Sequence, residues 1–174
     1  RDVADVVNAS KDFLDQYSKM RYEGYQAQLQ NIELQQFHEM DDASDPCELE
    51  EINKKYEQAY QTALGDDFFA RGYYKSRFYQ NWQNQHQANQ QKKYLQKQHD
   101  FTKIQASASL NEMASTLSLY SDPRDMHQMF VNAEAMLDNS KHLSAEEKFS
   151  LMSSFYQSAV GKIYTNNPNN AVAW

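Results

Sequence analysis

Apolar residues recur along this chain in steps of three and four, the spacing that winds one stripe along an α-helix. Phe13, Tyr17, Met20, Gly24, Ala27 and Leu34 keep that alternation, with Asn31 in the remaining slot, and predict a first helix over about residues 2–40. A second stripe, Tyr25, Leu29 and Ile32, widens the apolar face beyond a simple two-stranded seam. Asp41, Asp42, Ala43 and Ser44 then form a polar turn.

The next helix starts are written in capping chemistry. At Asp45-Pro46-Cys47-Glu48 the aspartate can accept from free amides, proline suits the first helical position, and the glutamate can cap in return. Leu49, Ile52, Tyr56, Ala59 or Tyr60, and Ala63 follow on one face, and Gly65 is a stop with Asp66 or Asp67 capping the next element. Asp122-Pro123-Arg124-Asp125 repeats the start signal, and Met126, Met129, Phe130, Ala133 and Leu137 mark a short helix ending near Asn139. Ser144-Ala145-Glu146-Glu147 is a capping box. Phe149, Met152, Phe155 or Tyr156, Ala159 or Val160, and Ile163 complete a last helix that Asn167-Pro168 ends.

Between these lies a stretch with no proline and, from Phe68 to about Leu119, only Gly72. It predicts one long central helix over about 66–119, roughly 75 Å at about 1.5 Å per residue. Its ends are amphipathic: Phe69, Tyr73, Phe78 and Trp82 early, then Phe101, Ile104, Ala106, Ala108, Leu110, Met113 and Leu117. The middle, Gln83 to Lys93, is rich in Gln, Asn, Lys and His; it reads as a solvated helix, the other reading being a break.

Composition narrows the class. Four glycines and three prolines in 174 residues are too few for a sheet protein joined by tight turns, so the fold is all-α. Aromatic content of 13% argues against disorder despite a mean hydropathy of −0.92. Helices of these lengths suit an antiparallel bundle or a short helical solenoid, with a possible subdivision into 1–119 and a C-terminal hairpin over 120–174. The net charge of −7 opposes tight nonspecific binding to nucleic acid or an anionic bilayer. No run approaches the ~18 apolar residues of a membrane span. The chain opens at Arg1 and stops at Trp174, which reads as a segment of something longer.

Candidate chemistry is sparse. His38, Glu39, Asp41, Asp42 and Asp45 offer possible cation ligands, but the alternating oxygens and glycine turn of a calcium loop are missing. His86 and His99 stand almost four turns apart, and His127 and His142 lie on opposite sides of a turn, so they read as solvent-facing or capping residues. Cys47 sits at a helix start that favours a thiolate, yet Glu48, Glu50 and Glu51 oppose it and no base accompanies it. Arg71 to Tyr79 mixes cations with rings, as single-strand stacking platforms do; the helical spacing instead assigns the rings to core packing. Gly72, like Gly24 and Gly161, is expected where another helix comes close. The chain therefore reads as non-enzymatic, without cofactor or metal. Its expected helix-packing and interaction residues are Phe69, Gly72, Tyr73, Phe78, Trp82, Leu110, Met113 and Leu117.

Three motifs carry a resemblance. Phe69-Ala70-Arg71-Gly72-Tyr73 opens the long helix; Tyr94-Leu95-Gln96-Lys97-Gln98 continues through Ile104 to Glu112; and Ile163 to Trp174 reads IYTNNPNNAVAW. This layout resembles the internal virion, or ejection, proteins of short-tailed bacteriophages and related prophages. The resemblance implies a helical portion of a larger protein that is carried in the virion and delivered ahead of the genome to the host envelope. It would act through helix–helix contacts with itself or sister virion proteins. Some members carry a transglycosylase domain, whose catalytic-glutamate motif is absent from these residues. The alternative is a helical interaction domain of a bacterial effector or adaptor.

Overall fold

The computed structural model describes residues 2–117 and 122–166. Among these residues all regular structure is helical: α1 (Val3–Asp42), α2 (Pro46–Thr62), α3 (Phe68–Tyr74), α4 (Arg77–Leu117), α5 (Pro123–Asp138) and α6 (Ala145–Asn166). The expected boundary at 118–119 and the Asn167-Pro168 stop, with the rest of the C-terminal motif, lie outside the described residues.

The capping signals act as their chemistry dictates. Asp45 accepts from the Cys47 amide at 2.8 Å, while Glu48 reaches back to the Ser44 amide at 3.1 Å. Asp122 accepts from the Arg124 amide at 2.9 Å, and Ser144 and Glu147 exchange the two bonds of a capping box. Gly65 takes a φ of +75° after α2, a backbone state that glycine adopts without strain. Asp67 then caps α3 through the Ala70 amide at 2.8 Å.

The 66–119 helix is interrupted, though not in its polar middle. α3 ends at Tyr74 and α4 begins at Arg77. Ser76 makes the break: its hydroxyl donates to the Tyr73 carbonyl at 2.6 Å and accepts from the Tyr79 amide at 3.3 Å. A serine that bonds its neighbouring backbone on both sides competes with the helix ladder. Beyond it α4 runs unbroken through Gln83–Lys93.

The chain divides into two compact units, residues 1–97 and 98–174, with the boundary inside α4. In the first, α2 and α3 pack on α1, and the early part of α4 runs beside α1 in the same direction. Its core gathers Tyr25, Leu29, Tyr56, Tyr60, Leu64, Ala70 and Tyr73. α1 therefore turns its second stripe inward, extended by Gln36 and Met40. Phe13, Met20 and Leu34 of the first stripe are 67%, 59% and 68% exposed. In the second unit, Ala106, Leu110, Ala114 and Leu117 of α4 meet Met126, Phe130, Ala133 and Leu137 of α5 and Phe155, Ala159 and Ile163 of α6. Ile104 and Phe149, expected on these inner faces, are exposed instead.

Candidate functional site

Most of the expected helix-packing and interaction residues take part in the chain's own packing. Tyr73, Leu110 and Leu117 are buried, and Met113 packs against the second core. Phe69 lies edge-on to Tyr17 at 5.3 Å, with the Arg21 guanidinium 5.2 Å from its ring centre. Gly72 lets α3 approach α1 closely: a Cβ there would meet the Tyr22 hydroxyl at 2.9 Å. At Gly24 and Gly161 a Cβ would meet nothing within 4 Å, so close approach does not account for them. Phe78 is exposed and Trp82 half-buried. In the Arg71–Tyr79 stretch, Tyr73, Tyr74 and Tyr79 pack on one another while Arg71, Lys75 and Arg77 face outward.

Trp82 belongs to an open groove of about 780 Å³ between α2 and the early part of α4. Its floor is aromatic: His86 stacks on Trp82 at 4.8 Å, and Tyr60 meets both rings at an angle. Its rim is mostly amide and charge, including Asn53, Glu57, Gln83 and Gln90. His86 is buried, contrary to the solvent-facing reading, and its Nδ1 contacts the Glu33 carboxylate of α1. Beneath lies a polar chain that the sequence reading missed. The Tyr60 hydroxyl donates to Gln36 Oε1 at 2.5 Å, and Gln36 Nε2 donates to Asn53 Oδ1 at 2.9 Å. Gln36 falls four residues after Ile32 on the inward stripe and His86 four after Trp82, so their spacing carried the signal.

Burial holds the Tyr60 hydroxyl far above its ordinary value, which keeps it a donor. Burial, then the Glu39 carboxylate, pushes Tyr56 up to about 12. Lys55 and Tyr56 both donate to Glu39 and hold its carboxyl below the usual range. The polar tract of α4 is anchored on α1 in the same manner. Lys93 pairs with Asp41 at 2.5 Å, and Lys97 donates to the carbonyls of Asp41 and Ala43, capping the end of α1.

Of the possible cation ligands, Glu39 is engaged by Lys55 and Tyr56, and Asp41 by Lys93. Among the described residues no group of three or more His, Cys, Asp and Glu side chains is placed to hold a metal. Cys47 is exposed, and Asp45 foremost raises its thiol above the ordinary value, against a nucleophilic role. Among the described residues no helix is long and apolar enough to cross a membrane.

An exposed apolar row lies on α1. Val3, Val6, Val7, Phe13, Leu14, Met20 and Leu34 are all more than half exposed. Phe68, edge-on to the Phe69 ring that meets Tyr17, is exposed as well. Exposed apolar side chains grouped in this way mark a surface suited to contact with another protein. Compared with known proteins, the chain matches no family model, no curated protein and no solved structure.

Proposed function

We propose that this chain is a structural, non-enzymatic assembly segment that works by presenting helix faces to other protein. We assign it, on the sequence motifs, to an internal virion protein of a short-tailed phage, carried in the particle and delivered to the host envelope ahead of the genome. The observation that supports the assembly role is the row of exposed apolar side chains along α1, set on a helix whose opposite face is already used. The resemblance also implies assembly into a conduit for DNA, and an acidic chain with outward amides suits a passage that must not hold DNA.

Mass spectrometry of purified phage particles tests the assignment. The chain should be present in filled particles and lost from particles that have released their DNA. Filled particles without it would overturn the virion assignment and favour the helical adaptor.

A further inference from the structure

The exposed side chains of α1 obey a stricter spacing than helical amphipathicity requires. Val6, Phe13, Met20, Ala27 and Leu34 fall every seventh residue, and Val3, Ser10, Tyr17, Gly24, Asn31 and His38 interleave with them. This is the 3.5-residue period of a coiled-coil seam, the first set at d and the second at a. Tyr25, Leu29, Gln36 and Met40, which face the unit's own core, occupy b, f and c positions instead. α1 thus carries two apolar faces: the unit uses one and meets the other only where Phe69 of α3 packs edge-on to Tyr17. Moreover, every residue from 2 to 16 is exposed. A helix of that length without tertiary packing is marginal in water.

We infer that the seam is filled by α1 of a second copy of this chain, parallel and in register. This rests on the assembly role proposed above and names its partner. Area is the first argument. Val3, Val6, Phe13, Met20 and Leu34 at a and d, with Val7 and Leu14 flanking at e, are each more than half exposed, so pairing two chains would bring the covered area toward the ~1,200 Å² lower end of stable interfaces. Charge is the second. The e and g positions flanking the N-terminal half of the seam hold Val7, Ala9, Leu14 and Gln16, so no like charges face one another there. Parallel pairing sets Gln16 against the second copy's Arg21, and Glu23 against its Gln28. Asp5, Asp12 and Asp15 fall at c and f, away from the seam. Asn31 is the third argument. At an a position it meets its own copy only when the helices are parallel and unshifted, and a polar a residue of this kind fixes register.

Light scattering on the whole chain at ~100 µM, where a dimer of micromolar Kd is nearly complete, should give twice the chain mass. The double variant M20E/L34E places carboxylates at exposed sites, so its helical circular dichroism should be unchanged while association weakens by about 100-fold or more. With Cys47→Ser as background, Val6→Cys and Ala27→Cys should each yield a disulfide-linked dimer under mild oxidation, because d residues face their copies only in a parallel, in-register pair. A strict monomer at that concentration overturns the inference. So does a dimer indifferent to M20E/L34E, or one that cross-links at neither position. Each such result leaves the particle measurement untouched, and a chain missing from particles leaves the dimer standing.

Discussion

His99 Nε2 lies 2.6 Å from Glu147 Oε2, tying the second half of α4 to the first turn of α6. Glu147 also closes the capping box with Ser144, so one carboxylate serves a helix start and an interhelical contact. Glu147 first, then Asp100, raises the His99 imidazole above its ordinary value. A histidine raised in this way binds its proton more tightly folded than unfolded. The contact therefore contributes fully below the unfolded value near 6.5 and is lost as pH rises through the folded one. The thermal midpoint of the 98–174 unit should fall as pH rises from about 6 to 8, and His99→Gln should flatten that slope. Calorimetry across the range checks it; an unchanged slope in His99→Gln would assign the dependence elsewhere. Glu147, held low by His99, acts in the opposite window, losing its contribution as pH falls below about 4.5.

Leu29 and Leu34 separate the two faces of α1. Leu29 is fully buried and Leu34 is 68% exposed. Leu29→Ala should cost about 2–5 kcal/mol, as removing a buried leucine does. Leu34→Ala should change unfolding by no more than about 0.5 kcal/mol in dilute protein, where association makes no contribution. Urea titrations read both.

Glycine substitutions should differ in sign. Gly24→Ala and Gly161→Ala place a methyl in open space within a helix and should stabilise by about 0.5–1 kcal/mol. Gly72→Ala drives its Cβ against the Tyr22 hydroxyl, whose ring is held among Tyr25, Tyr73 and Phe78. It should be the least favourable of the three, and Tyr22→Phe should restore much of the loss. A Gly72→Ala as stabilising as the others would mean that the ring moves aside freely.

Removing a hydroxyl from Tyr73 and from Tyr60 should have opposite results. Among the described residues the buried Tyr73 hydroxyl has no hydrogen-bond partner, so Tyr73→Phe should stabilise by about 1 kcal/mol. The Tyr60 hydroxyl is bonded to buried Gln36, so Tyr60→Phe should destabilise by about 1–3 kcal/mol through the acceptor it leaves unsatisfied. Denaturant midpoints of the two variants provide the comparison.

Local chemistry was the most readable part of the sequence. Asp45, Asp67, Asp122 and Ser144 cap the helices they precede because a cap needs only a side chain and amides two or three residues away. Choosing between faces was harder. α1 carries two apolar stripes, and only the placement of α2, α3 and α4 decides that Tyr25 and Leu29 turn inward while Phe13 and Leu34 do not. Ser76 carries no sequence signal because helical spacing continues on both sides of it, yet its hydroxyl donates to Tyr73 and accepts from Tyr79 where the helix divides. The groove beneath Trp82 stayed hidden for a related reason. Gln36 and His86 look polar and solvent-bound until Tyr60, Asn53 and Glu33 arrive from other helices to satisfy them.

Each unit is assembled from consecutive stretches of chain, with the divide at Lys97 and Gln98 inside a single helix. Such a topology asks little of loop closure, and helical proteins dominated by nearby contacts collapse in microseconds to milliseconds. Synthesis at roughly 5–20 residues per second is far slower. The N-terminal half can therefore finish condensing while the remainder, which carries its own core, is still being translated.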